Sequence, residues 1–234
     1  MKRKENPVSE EFDYYEDFVK ALVNTKGDYI AFEPFYADAT KIKNSKDPRV
    51  VYAERIFAYE FYHQYRRIMD DYDEKYGDES KYHDIQLNGE QIKDAVEFTA
   101  IKDGLSTFSP DLILHGSLSN TKKQYWICEI KMNHNPYPFE DLFKIGLYKT
   151  NKVNFKNYIF LYVGESDNLM KEGIEKMVDY IKKVKSEKKR KYKKLVDDTI
   201  CIFYNPSSSD DDKKVQSQWL CNILINHGVE LANE

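Results

Sequence analysis

The stretch from Gln124 to Met132, QYWICEIKM, sets a glutamate and a lysine among Trp126, Ile127, Cys128 and Ile130. In an extended strand successive side chains point to opposite faces, and residues two apart share a face at ~6.6 Å. Glu129 and Lys131 therefore stand side by side, with Cys128 and Ile130 on the reverse face. A charge taken into an interior needs a partner or a metal. The pair is either a local salt bridge on a half-exposed strand or part of a site. A second acid lies within reach: Asp111 opens the apolar run SPDLILHG. The 17 residues between Asp111 and Glu129 leave room for two strand arms and a turn. These two runs are natural partners in an antiparallel hairpin.

Other elements must hold that hairpin. SEEFDYYEDFVKALVN has a serine cap and Phe12, Tyr15, Phe18 and Leu22 at helical spacing. An irregular Gly- and Pro-containing connection follows. A long helix, apolar around much of its circumference, runs from near Pro48 and frays at Gly77. In HDIQLNGEQIKD the Asn-Gly pair signals a hairpin turn, whereas AVEFTAIKDGL fits a strand or a short helix. After the Asp111 and Glu129 strands come a Pro-bounded helix carrying Phe139, Leu142, Phe143, Ile145 and Leu147, and the apolar strand NYIFLYV. A helix turning strongly basic, the strand DTICIFY, the polar loop SSSDDDKK and a closing helix in QSQWLCNILINHG complete the chain. This order predicts an α/β domain built on one mixed sheet flanked by helices. It spans 1–234, with a helical extension over about 1–46 and an α/β elaboration over about 165–234.

A Pro-Asp at a strand start, then Glu-x-Lys on the next strand, then helix and strand, resembles the PD-(D/E)XK nuclease superfamily. The motif residues are Pro110, Asp111, Glu129 and Lys131, and the likeness covers roughly Asp47 to Gly164. The resemblance implies a restriction-endonuclease-like core in αβββαβ order and a metal-dependent nuclease, an endonuclease before an exonuclease. The cofactor would be Mg²⁺, with Mn²⁺ as a substitute. Asp111, Glu129 and the Ile130 carbonyl would hold the metal, and Lys131 would orient or deprotonate the attacking water. These residue types suit phosphodiester hydrolysis. Mg²⁺ takes one or two carboxylates and keeps several waters, and an ammonium offsets charge on phosphoryl oxygens.

Such nucleases often carry a further acid on the first core helix, where Glu54 and Glu60 lie about 240° apart. Glu60 is preferred, because His63, Gln64 and Arg67 follow it at neighbouring helical positions and make a polar stripe. On the helix after the motif Asp141, Lys144 and Tyr148 lie at i, i+3 and i+7. Lys144 is the candidate phosphate contact there, against the alternative of a solvated face. His63, Arg67 and His134 are further candidate substrate contacts. The run from Lys182 to Lys194 holds Lys189, Arg190 and Tyr192, which can track phosphates and stack a base, or form a solvated helix face.

The partner implied is nucleic acid, DNA before RNA, and nucleases of this kind often act as dimers or with partner subunits. A non-catalytic module that keeps the fold and binds nucleic acid or protein is the alternative. With a formal charge of −4, any basic footprint has to be local. Apolar residues at 41% exclude a disordered chain. The three cysteines are widely spaced and suit buried thiols rather than zinc. No secretory leader or membrane-length apolar run is present, so a cytoplasmic location is expected.

Overall fold

The structure, a computed structural model, describes residues 3–4, 8–25, 48–89, 110–116, 124–133, 139–150, 155–184 and 198–229. Helices α1 (Val8–Glu11) and α2 (Tyr15–Asn24) precede the long α3 (Pro48–Tyr76) and a 3₁₀ turn (Gly77–Glu79). Strands β1 (Ile85–Gly89), β2 (Leu112–Gly116) and β3 (Gln124–Met132) follow, then α4 (Asp141–Thr150), β4 (Asn157–Val163) and α5 (Leu169–Lys183). The remaining elements are β5 (Thr199–Tyr204), α6 (Asp211–Lys214), β6 (Val215–Trp219) and α7 (Leu220–Asn226).

The six strands form one open mixed sheet in the order β1-β2-β3-β4-β5-β6. The β1–β2, β2–β3 and β5–β6 pairs are antiparallel, and β3–β4 and β4–β5 are parallel. Every residue of β4 and β5 is buried. That explains why NYIFLYV and TICIFY read as unbroken apolar runs: parallel strands between two helical layers bury both faces. The expected hairpin is present, with Leu112 opposite Cys128 and Leu114 opposite Trp126.

The two faces carry different helices. On one, Trp126 meets Phe18 of α2 and Tyr65 of α3, with ring centroids at 5.4 and 5.5 Å, and Phe57 of α3 packs on Tyr204. On the other, Phe139, just before α4, packs on Phe160 and Tyr162. Helix α5 covers the same face through Gly173. A Cβ at that position would lie 2.7 Å from the Phe203 ring and 3.1 Å from Tyr162, so glycine lets the helix approach. Glu129 pairs in register with Phe160 and Lys131 with Tyr162, which puts both charges on the α4/α5 face.

Three local expectations need correction. The N-terminal helix is two helices, because residues 13 and 14 form a turn that buries both Phe12 and Tyr14. Asn88-Gly89 is not a hairpin turn. It ends β1 and pairs with Ile113 and Leu112, so turn chemistry yields to sheet pairing. The closing helix begins later than its sequence suggests. Residues 215–219 pair with β5 as an edge strand, and the helix covers only the more apolar Leu220–Asn226.

Long-range contacts bind the first residues to the last elements. Asn222 accepts a hydrogen bond from the Lys4 N–H and donates one to its carbonyl, at 3.0 and 2.9 Å. The Tyr15 hydroxyl meets Ser217 Oγ at 2.8 Å, and the Tyr204 hydroxyl donates to the Thr25 carbonyl at 3.0 Å. Cys128, Cys201 and Cys221 are buried, and none of the three is in a disulfide. No helix among the described residues is long and apolar enough to cross a membrane. Neither the AVEFTAIKDGL segment nor the stretch 185–197 is among the described residues.

Candidate active site at the end of strand β3

Residues 112–115 pair with 124–128 so that Asp111, one step beyond the last paired residue, comes level with Glu129. The Ile130 N–H donates to Asp111 Oδ2 at 2.7 Å, fixing the aspartate across the strand gap. In an antiparallel pair a residue's N–H and C=O point to the same neighbour, so the Ile130 carbonyl also faces the β2 side. Continuing the register, its opposite number is Pro110, which has no N–H to give. The proline of the Pro-Asp pair thus leaves a main-chain oxygen of β3 beside Asp111 without its usual ladder donor.

Lys131 lies between two carboxylates, its ammonium 2.6 Å from Glu54 Oε1 and 2.8 Å from Asp141 Oδ2. Glu54 comes from α3 on one side of the sheet and Asp141 from α4 on the other, so this lysine ties both helical layers to the end of β3. Asp141 also holds a second lysine: Lys144 Nζ stands 2.6 Å from its Oδ1 and 3.6 Å from Oε2 of Glu129. The Glu129 side chain is fully buried, and those of Lys131 and Asp141 are each 10% exposed.

Four carboxylates, Glu54, Asp111, Glu129 and Asp141, gather with two ammonium groups. Full ionisation leaves the described cluster with more negative than positive charge. Asp111 shows what it costs to hold a carboxylate in this interior. Burial pushes its carboxyl up to about 6; Glu54 adds to the rise, while Lys131, the Ile130 N–H and Lys144 oppose it. A cation that pairs with Asp111 would relieve this cost.

Among the described residues no three His, Cys, Asp or Glu side chains already form a metal-ligand shell. The donors present nevertheless fit one kind of ion. Asp111, Glu129 and the Ile130 carbonyl are all oxygen ligands, too few for a closed cage. Mg²⁺ binds through one or two carboxylates and retains waters, so it suits such a set. Zinc's preference for thiolate and imidazole does not.

The acid of α3 that meets Lys131 is Glu54, not Glu60. Glu60 instead accepts a 2.6 Å hydrogen bond from Gln64 Nε2 on its own helix. The 240° between the two positions turns one towards Lys131 and the other away. Any activity that depends on Lys131 is therefore expected to fall about tenfold or more in Glu54→Gln and to stay within about twofold in Glu60→Gln, read from initial rates. Equal losses would show that both acids serve only the helix. His63 and Arg67 are exposed on α3. Lys144, read either as a phosphate contact or as part of a solvated face, is drawn inward by Asp141. Asp141 is the partner that sequence reasoning missed; its i, i+3 spacing to Lys144 was the available signal, but nothing local pointed to Lys131. His134, Lys189, Arg190 and Tyr192 lie outside the described residues, as does the side chain of Tyr148. Lys182 and Lys183 close α5.

No protein-family model matches the chain, and neither a curated protein nor a solved structure does.

Proposed function

We propose that the chain is a metal-dependent nuclease of the PD-(D/E)XK type, hydrolysing phosphodiester bonds of nucleic acid, DNA before RNA. The observation that carries this reading is the convergence of Asp111, Glu129 and Lys131 at one end of a β2–β3 hairpin, with acids from both flanking helices around the lysine. The order of a long helix, three antiparallel strands, a helix and a parallel strand agrees with a restriction-endonuclease-like core. The site also lies where the parallel strand β3 ends, the usual place for ligands on open α/β sheets.

Asp111, Glu129 and the Ile130 carbonyl would hold Mg²⁺, or Mn²⁺ in its place, and the ion would supply Lewis-acid stabilisation of the phosphoryl oxygens. The chain's own groups do the rest. Lys131, steered by Glu54 and Asp141, orients the attacking water and offsets negative charge as it builds. Asp141 fixes both lysines at once, and the apolar walls of β3 and β4 keep bulk water away from Glu129. An inactive nuclease-fold module that binds nucleic acid has one observation in its favour: Lys131 is satisfied by two carboxylates without any ligand.

Labelled single- and double-stranded DNA and RNA, incubated with Mg²⁺, Mn²⁺ or EDTA, separate the two. The nuclease reading expects cutting that requires metal and is lost in Lys131→Ala. Binding without cutting under either metal supports the module instead, and cutting that survives Lys131→Ala places the active centre elsewhere.

A further inference from the structure

Resting on the metal-site reading above, we infer that Lys144 is a resident stand-in for the divalent ion. It neutralises Glu129 in the metal-free protein and swings towards the substrate phosphate when the ion enters. Glu129 is a fully buried carboxylate, and Lys144 brings an ammonium to within 3.6 Å of its Oε2. A charge so placed needs a counter-charge whether or not metal is bound. Lys131 is engaged instead with Glu54 and Asp141.

An ion held by Glu129 and Asp111 would face the Lys144 ammonium at close range, and two cations cannot share that space without repulsion. Lys144 has somewhere to go. Its side chain is 29% exposed, more open than those of Glu54, Lys131, Asp141 and Glu129, and its 2.6 Å contact is to Asp141 Oδ1 rather than to Glu129. Asp141 keeps its other oxygen on Lys131, so it stays in place as a pivot. Lys144 can then leave Glu129, keep its hydrogen bond, and turn its charge outward, where a phosphodiester would approach the ion. The exchange of one cation for another keeps the buried carboxylate compensated throughout.

A lysine in this role competes with the metal while assisting the reaction, so its removal moves the two measurements in opposite directions. Mn²⁺ binding, followed by loss of the free-ion paramagnetic resonance signal, should tighten about fivefold or more in Lys144→Met, while Mg²⁺-dependent cleavage falls about tenfold or more. Lys144→Arg, which keeps the charge, should bind Mn²⁺ no more tightly than the native protein. In EDTA the methionine variant should melt at a lower temperature than native protein, and Mn²⁺ should raise its melting point by a larger increment. If Lys144→Met does not fold, Lys144→Gln, which retains a donor for Asp141, carries the same test.

Unchanged or weaker Mn²⁺ binding in the uncharged variants overturns the inference, because a purely structural or phosphate-binding lysine gives that result. Native protein that binds no Mn²⁺ overturns the metal-site reading and the inference together. Binding that is abolished by Asp111→Asn but not tightened by Lys144→Met overturns the inference alone.

Discussion

Replacing Asp111 with asparagine is expected to stabilise the metal-free protein at pH 8 while removing metal-dependent cleavage. Asparagine keeps an oxygen to accept from the Ile130 N–H, so the β2–β3 junction survives. What it removes is a charge that the fold holds at a cost. The Asp111 carboxyl is pushed up to about 6 in the folded chain from an ordinary 3.8. The folded state thus binds the proton more tightly than the unfolded state between those values. The stability this contributes is fully present below about pH 3.8 and is lost as pH rises through about 6. The Asp111→Asn variant, with no carboxyl to ionise there, carries no such loss. In EDTA it should gain on the order of 2 kcal/mol over native protein at pH 8, shrinking towards zero near pH 4, read from urea midpoints. Mg²⁺ should stabilise native protein and not the variant, and cleavage should fall at least on the order of a hundredfold. A variant less stable than native protein at pH 8 would show that the Asp111 charge is stabilised through Lys131 and Lys144 rather than held at a cost.

Lys131→Met should do the reverse to stability. Two carboxylates, Glu54 and Asp141, would lose the ammonium that lies 2.6 and 2.8 Å from them. Breaking a fully buried ion pair costs about 3–5 kcal/mol. Glu54 keeps 20% of its side chain exposed, so a loss of about 2–3 kcal/mol at pH 8 is the expected size. Adding Glu54→Gln to Lys131→Met should recover part of that loss, and the double-mutant cycle measures the coupling. Cleavage should fall by on the order of a thousandfold in Lys131→Met and stay there in the double variant. If cleavage returned along with stability, Lys131 would be a tie between helices and not a participant in the chemistry.

The elements that could be read directly were those whose apolar pattern matched their final burial. NYIFLYV and TICIFY are continuous because both faces of β4 and β5 are covered, and α3 ends at Tyr76 before Gly77, whose φ is 53°. Reading failed where local preference and sheet pairing conflict: Asn88-Gly89 favours a turn but completes β1, and Gln216 to Trp219 can be helical but serves as an edge strand. At the candidate site, the alternation of QYWICEIKM was enough to put Glu129 and Lys131 on one face. The polar stripe around Glu60 looks like a site from within one helix, whereas the α3 acid beside Lys131 is Glu54. Which turn of α3 meets the end of β3 is decided by Phe57, Phe61 and Tyr65, which key the helix into Phe18, Trp126 and Tyr204. That packing is tertiary, and no spacing along the chain states it.

The clasp between the first residues and the last elements bears on how the protein is made. Lys4 meets Asn222 across a separation of 218 residues, and Tyr15 meets Ser217 across 202. Contacts this distant in sequence form late, after the intervening chain has been brought to order. During synthesis, α1 and α2 emerge long before the strand and helix that they grip. Until β6 has left the ribosome, the sides of α1 and α2 that meet it lack their cover, and the nascent chain is open to misassociation. Closure of the α2/α3 face thus waits for this last strand and trails the synthesis of α2 and α3.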